Sequence, residues 1–449
     1  MTAAHPSDTI AAVATPPGKG GVSIVRISGP AVCPMMTDLL GLPLSPRHAR
    51  LCRFRGADGE AIDQGLALYF PAPHSFSGED MLELHGHGGP VVTDLLLQRV
   101  LSLGARAAAP GEFTERAFLN GKIDLAQAEA VADLIDAATA QAARSAQRSL
   151  QGEFSKRIDQ LAERLVWLRT YVEAAIDFSD EDVDFLSAGR VGETLTGLSD
   201  QLDTIAVAAH QGELLRDGLT VVIAGRPNVG KSSLLNCLAG RDTAIVTDIA
   251  GTTRDLLREH IQIDGLPLHI IDTAGLREGA DRVEQEGIRR ARAAIADAGR
   301  VLLVVDDRHP EQGEELLQEL PDGVPVTRVH NKIDLTRVPP CVVHSPGGAV
   351  VYLSAETGAG LPELRQHLKD CAGYRGDEDG IFMARRRHLE ALGRTRTWLD
   401  LALSNAQAGA AELLADDLRA AHEALGEITG RFTTEDLLGS IFRSFCIGK

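Results

Sequence analysis

Positive charge is scarce in this sequence. Lys and Arg number 45 against 63 Asp and Glu, a formal net charge of −18. That balance argues against coating nucleic acid by bulk electrostatics, which needs clustered Lys and Arg, and leaves room only for a local basic site. Paired cysteines are also missing. The six Cys stand far apart, at 33, 52, 237, 341, 371 and 446, with no CxxC, which argues against a zinc ribbon or thioredoxin-like chemistry. Reduced thiols in a cytoplasm fit this pattern. No apolar run reaches the ~18 residues of a membrane span. A charged-then-apolar leader is absent at the N-terminus, which argues against secretion.

Proline is absent from two long stretches, 111–226 and 363–449, and all 20 prolines fall in the windows 6–110 and 227–362. Proline costs about 3 kcal/mol inside a helix, so its absence permits long helices. Apolar spacing supports them. Ile158, Leu161, Leu165, Leu168 and Val172 align as one stripe, and Val131, Leu134, Ile135 and Ala138 mark a second helix. Leu399, Leu401 and Leu403, then Leu413, Leu414 and Leu418, extend the reading to the C-terminal stretch. A helix-bundle core is the expectation for these stripes.

What remains is 449 residues with 44% hydrophobic content, a composition for folded domains rather than disorder. At roughly 100–200 residues per domain, two to four are expected. Strand-like runs VSIVRISG, GLALYFPA and DMLELHG, with a helix near 91–103, make 1–120 an α+β domain. Between the helical stretches, TVVIAG, LHIIDTAG, VLLVVDD, VTRVHNKID and VVYLSAE alternate with helical patterns. Alternation of this kind indicates an α/β domain over 217–375 with a parallel sheet covered on both faces. It is inserted between helical parts 121–216 and 376–449.

The chemistry concentrates in that insertion. Gly225-Arg226-Pro227-Asn228-Val229-Gly230-Lys231-Ser232 fits G-x-x-x-x-G-K-[ST], after a strand and before the helical SSLLNCLAG. Glycines let backbone N–H groups wrap phosphates. Lys231 meets the β and γ phosphate oxygens. Ser232 offers a hydroxyl to Mg²⁺, with Ser233 beside it, and a helix N-terminus favours anions. Asp272-Thr273-Ala274-Gly275 ends another strand, where a carboxylate can hold the Mg²⁺ water shell and a glycine N–H can sense the γ-phosphate. Asn331-Lys332-Ile333-Asp334 ends a third. The Asp334 carboxylate can accept from guanine N1–H and N2–H₂, a donor pair adenine lacks. Ser354-Ala355-Glu356 is placed to support the base. Motifs in this order at strand ends are those of a GTPase.

The switch segment is Thr247-Asp248-Ile249-Ala250-Gly251-Thr252-Thr253, in which Thr252 or Thr253 can complete Mg²⁺ coordination. Leu276 follows Gly275, where Ras-like GTPases carry a water-orienting Gln. An aliphatic side chain cannot orient water, so hydrolysis needs a partner residue, a cation or a nearby acid. Two roles are open to Asn228: an amide oxygen for a monovalent cation, or an Asx turn that holds the loop.

GRPNVGKSSLLN, DIAGTTRD, DTAGLRE and NKID together resemble the G domain of the MnmE (TrmE) family of tRNA modification GTPases, related to Era and EngA. ATPPGKGGVSIVRISG, ELHGHGG, GEFTERAFLNGKIDLAQAEAV and the terminal FCIGK extend the resemblance over essentially the whole chain. It implies an N-terminal folate-binding domain (1–120), a discontinuous α-helical bundle domain and the inserted P-loop, Ras-like G domain. It also implies a homodimer formed by the N-terminal domains. K⁺ ligands fall on Asn228, Thr247, Ile249 and Thr252. Mg²⁺ ligands fall on Ser232 and Thr253. Glu284 would orient the attacking water through a second water. The folate contacts, toward 5,10-methylene- or 5-formyl-tetrahydrofolate, fall on Arg26, Glu83, Lys122 and Lys449. Cys446 is a family feature of open role. The implied activity is K⁺-dependent GTP hydrolysis that drives domain movement. With the FAD-dependent partner MnmG, in a heterotetramer or larger complex, an aminomethyl or carboxymethylaminomethyl group is added to C5 of a tRNA wobble uridine.

Other features read more plainly. Cys446-Ile447-Gly448-Lys449 has C-a-a-X spacing, but Lys is not a usual prenylation terminus. His85 and His87 read as structural histidines flanking a glycine turn, the acidic run 177–184 as solvated, and Arg385-Arg386-Arg387 as a solvated helix start balanced by Glu390 in preference to a contact for tRNA phosphates. A ribosome-assembly GTPase of the Era or EngA type would need a second G domain or a basic GXXG module, and neither is present. A purely regulatory switch without hydrolysis is opposed by Lys231, Ser232, Asp272 and Glu284.

Overall fold

A computed structural model describes residues 8–177, 188–240, 258–272, 299–318, 320, 323–345, 348–376, 380–432 and 434–448. The chain divides into two compact units. One comprises Met1–Ala132, Ser149–Ser199 and Ala391–Lys449, and the other Asp133–Arg148 and Asp200–Glu390.

The first unit opens with β1 (Ile10–Val13), β2 (Gly20–Ser28), α1 (Val32–Leu40), β3 (Arg50–Arg55), β4 (Ala61–Phe70), β5 (Met81–Gly88), α2 (Pro90–Ser102) and β6 (Arg106–Ala107). The strands form one sheet in the order β3-β4-β5-β2-β1-β6. Period-2 alternation sends Val25, Ile27, Phe54, Leu82 and Leu84 to one face, where α1 (Met35, Leu39) and α2 (Leu96, Val100) cover them. His85 and His87 flank Gly86 inside β5, not at a turn; they pair with Glu83 and Asp63.

Helices follow: α3 (Glu112–Leu119), α4 (Leu125–Asp136), α5 (Ala140–Leu150), α6 (Glu153–Asp177) and α7 (Ala188–Asp217). The proline-free stretch thus yields helices of 25 and 30 residues. On α6 the whole predicted stripe from Ile158 to Val172 is buried.

The second unit carries β7 (Leu219–Ala224), α8 (Lys231–Ala239), β8 (Arg258–Ile263), β9 (Leu266–Asp272), β10 (Arg300–Asp306), α9 (Glu311–Leu317), β11 (Val326–Asn331), α10 (Ile333–Thr336), β12 (Cys341–Ser345), β13 (Gly348–Tyr352) and α11 (Leu361–Ala372). Its sheet runs β12-β13-β11-β10-β7-β9-β8. Neighbours from β13 through β9 are parallel. Alternate residues serve two cores: Val221, Ile223, Leu302 and Val304 in one, Val222, Ile271, Leu303 and Val305 in the other. Burial on both faces explains the near-continuous apolar runs.

The sheet is not wholly parallel as expected. Both edges, β8 and β12, are antiparallel to their neighbours. The reason is connection length. A parallel crossover needs a dozen or more residues, whereas β8 and β9 are joined by Asp264-Gly265, both with positive φ as a tight hairpin turn requires.

The last helices are α12 (Arg386–Gln407), α13 (Ala411–Thr429) and α14 (Glu435–Arg443). In the first unit α13 packs on α6 through Leu414, Leu418 and Leu425. Leu401 and Leu413 are exposed, contrary to the predicted stripe. Residues two apart lie about 200° apart on a helix, so Leu399 and Leu401 cannot share a face. The terminal segment docks within the same unit, as Phe442 and Phe445 pack with Leu125 and Phe118.

Candidate functional site

The second unit gathers the phosphate loop and the base-reading motif at the C-terminal ends of its parallel strands, the usual ligand edge of such sheets. Gly225 follows β7 at a point where a Cβ would stand 2.4 Å from the Val304 carbonyl, so only glycine fits. Asn228 has φ +65°, a left-handed value that Asn tolerates better than most residues. Gly230 has φ +97° and caps the start of α8, and a Cβ there would meet Asn331 Nδ2 at 2.2 Å. That absence lets the Asn331 amide reach Val229 O at 2.9 Å. Lys231 is buried, and its Nζ donates to Gly225 O (2.9 Å) and Arg226 O (3.0 Å). The ammonium therefore lies across the loop it serves. Ser232 and Ser233 are exposed in the first turn of α8.

Asn331 is a hub. Its Oδ1 accepts from Lys332 N (2.8 Å) and Ala355 N (2.9 Å), which ties the phosphate loop to the Ser354–Glu356 loop. Ser354 is fully buried, and its Oγ donates to Asp334 Oδ1 at 2.5 Å, orienting a carboxylate that is itself exposed. Glu356 is exposed. The Lys332 ammonium donates to Asn228 O at 2.8 Å and to Asp306 Oδ2 at 2.9 Å.

Asp306, which motif reading did not single out, joins this cluster through Lys332. It ends β10 in register with Asn331 at the end of β11. Arg308, then Lys332, hold its carboxyl well below the usual carboxylate range, outweighing burial. The only available signal was its place at a strand end in VLLVVDD. Asp272 ends β9 opposite Ile223 of β7, as expected from the strand pattern. Thr247, Asp248, Ile249, Ala250, Gly251, Thr252, Thr253, Thr273, Ala274, Gly275 and Glu284 lie outside the described residues, as does Lys449.

The first unit holds a second polar cluster. Arg26 Nε donates to Glu83 Oε1 at 2.9 Å, and its Nη1 to Gly448 O at 3.3 Å. Its guanidinium lies 5.8 Å from the Phe113 ring centroid, and His85 Nε2 meets Glu83 Oε2 at 3.1 Å. The terminal segment is pinned there: Gly111 N donates to Cys446 O at 3.3 Å, and a Cβ on Gly448 would stand 2.3 Å from Val13 O. Arg26 and Glu83 are therefore brought together with the segment preceding Lys449. Lys122 is not joined to them by any hydrogen bond among the described residues; its stem packs by Gly78. Cys446 is exposed. Elsewhere in the first unit, the buried Arg116 side chain pairs with Asp8, Glu79 and Glu112, which explains the charges of GEFTERAF. Burial pushes the Glu112 carboxyl up, but Arg106, Ala109 N–H and Arg116 together hold it below its ordinary range.

Arg385 is not a solvated charge. It pairs with the buried Asp133 at 2.7 Å, and Asp133 also receives Arg216 Nε at 3.0 Å. Arg386 pairs with Glu390 as expected. No helix among the described residues is long and apolar enough to cross a membrane.

Comparison with known proteins places these features. A family model described as the MnmE helical domain matches residues 125–446, and one described as the GTP-binding protein TrmE N-terminus matches residues 9–122. A tRNA modification GTPase MnmE from Methylococcus capsulatus is 63% identical over 447 residues, covering 100% of both chains. The protein of that name from Stutzerimonas stutzeri is 59% identical over 456 residues, covering 98% of this chain and 99% of its own. Among solved structures, the G domain of the T. maritima FeoB iron transporter is 30% identical and covers 34% of this chain and 98% of its own, at a TM-score of 0.28.

Proposed function

The chain belongs to the MnmE family of tRNA modification GTPases, and from that membership we propose a K⁺-dependent GTP hydrolase that works with a FAD-dependent partner on tRNA wobble uridines. GTP hydrolysis in the service of tRNA modification is the activity of the family. The observation that carries the reading is the bridge from base motif to phosphate loop, Asn331 to Val229 O and Lys332 to Asn228 O.

This chain's residues divide the steps among them. Asp334, oriented by Ser354, accepts guanine N1–H and N2–H₂. Lys231 turns its ammonium to the β–γ bridging region, and α8 N–H groups face the phosphates. Glu284 orients the attacking water through a second water, in place of the Gln that Leu276 replaces. The γ-phosphorus–bridging oxygen bond breaks as the water oxygen bonds to phosphorus, leaving GDP and phosphate. Mg²⁺ and K⁺ would neutralise charge on the phosphates. The exposed Ser232 hydroxyl and Asn228 amide fit such ions; Thr253 would complete the Mg²⁺ set, and Thr247, Ile249 and Thr252 the K⁺ set.

The Arg26–Glu83 cluster is assigned to a tetrahydrofolate, which supplies a one-carbon unit. Arg26, with Lys122 and Lys449, suits glutamate-tail carboxylates, and Glu83 suits pterin N–H donors. The domain plan of 1–120, 121–216, 217–375 and 376–449, the homodimer, the MnmG partner and a cytoplasmic location belong to this same proposal. GTP hydrolysis compared in K⁺ and Na⁺ buffers of matched ionic strength tests it. Stimulation by K⁺ that is lost in Asn228→Ala supports the cation role, and equal slow rates in both buffers overturn it.

A further inference from the structure

Asp306 ends β10 and Asp307 follows it, yet they serve different groups. Asp307 Oδ1 meets His330 Nδ1 at 2.9 Å, and its other oxygen accepts from Thr336, so it fastens β11 and α10. Strand alternation turns Asp306 elsewhere. Asp306 Oδ2 accepts from Lys332 Nζ at 2.9 Å and from Arg308 Nη2 at 2.7 Å, while Oδ1 accepts from Arg308 Nε at 3.0 Å. Its side chain is 11% exposed and that of Lys332 28%.

The same ammonium reaches Asn228 O at 2.8 Å. The two residues joined by that bond, Asn228 (φ +65°) and Lys332 (φ +69°), are both non-glycine residues in the left-handed region. Such backbone persists only where surrounding contacts hold it. On the Lys332 side the holding group is Asp306. A lysine is a compact charge on a flexible stem, and a fixed carboxylate removes that freedom before ligand arrives. Arg308 shares the carboxylate, so the three charges sum to +1 and no bare anion faces a phosphate-binding loop.

We propose that Asp306 is a positioning residue for guanine nucleotide: it holds the Lys332 ammonium against the Asn228 carbonyl and thereby keeps the phosphate loop in its receiving shape. The proposal rests on the GTPase reading above. It couples β10, which carries no nucleotide motif, to the loop after β7 and to the motif that ends β11.

A double-mutant cycle on the full chain tests it, with GDP affinity read by displacement of a fluorescent guanine nucleotide. Asp306→Ala is expected to weaken GDP by about tenfold, equivalent to about 1.4 kcal/mol. Asp306→Asn keeps an oxygen acceptor and is expected to recover most of that loss. Asp306→Ala combined with Lys332→Ala is expected to bind no more weakly than Lys332→Ala alone, because Asp306 acts through Lys332. Additive losses, or an Asp306→Ala protein that binds GDP like the parent, overturn the proposal. If Asp306→Ala does not fold, Asp306→Ser, whose short hydroxyl cannot span to Lys332, with and without Lys332→Ala makes the same comparison, and additive losses there overturn the proposal equally. A parent that binds no guanine nucleotide overturns the GTPase reading itself, whereas a binding parent with additive variants overturns only the role of Asp306.

Discussion

The phosphate loop draws on consecutive residues, 225–232, whereas Arg26 meets Glu83 and Gly448 across sequence separations of 57 and 422 residues. The first site is a turn between a strand and a helix. Its glycines, lysine and serine must be neighbours because the backbone itself is the ligand-binding surface. The second site is a meeting of side chains on β2 and β5 with a terminal segment. Its members need share only a place in space. A local site therefore writes itself into a short string, while an assembled site leaves scattered letters.

Four outcomes would break or sharpen this contrast, from largest to smallest. Lys231→Ala removes the ammonium that spans the loop, and should lower GTP hydrolysis by about 100-fold or more in a phosphate-release assay. The Arg26–Glu83 cluster should be untouched, and the tetrahydrofolate binding proposed for it should be unchanged by calorimetry. Next, Asp334→Asn replaces an acceptor with an amide, and should cut the preference for guanine over xanthine nucleotides by about 100-fold in competition binding. Retained guanine preference would show that Ser354–Glu356, not Asp334, reads the base.

In the assembled site, Gly448→Ala places a Cβ 2.3 Å from Val13 O at φ +93°. The left-handed backbone alone costs about 1–2 kcal/mol, so the terminal segment should undock. Increased proteolysis near Cys446, with GTP hydrolysis unaltered, is the expected outcome. The smallest effect is a pH dependence. His367 is buried against Thr327 Oγ1 at 2.9 Å. Burial, then Arg300 and His344, hold its pKa below the ordinary value. The unfolded chain then binds the proton more readily, so this contribution is present above about pH 6.5 and is lost as pH falls. Melting temperature should drop slightly from pH 7 to pH 5.5, and His367→Gln should flatten the slope.

Within the nucleotide site itself, legibility was uneven. The strand-end placement of Asn331, with Asp334 close behind it, was readable from NKID because the proposed guanine reading expects those groups there. Asp306 was not, because a carboxylate after an apolar strand has many uses and its partner Lys332 lies 26 residues away. The α6 stripe was readable at its 3–4 spacing, while Leu401 and Leu413 misled because leucine on a helix is no evidence of burial without a shared face. Edge strands β8 and β12 escaped the expectation of a parallel sheet because strand direction depends on connection length and pairing, not on side-chain pattern.

By itself the sequence determined the phosphate loop, the order of strands and motifs, and the long proline-free helices. Backbone conformation and hydrophobic period are local properties, and they act over a few residues. Tertiary structure alone decided that Arg26 meets Glu83 and Gly448, that Asp133 binds Arg216 and Arg385, and that Asp306 holds Lys332. Those contacts join distant segments, and only the packing of sheets and helices brings such charges within hydrogen-bonding reach.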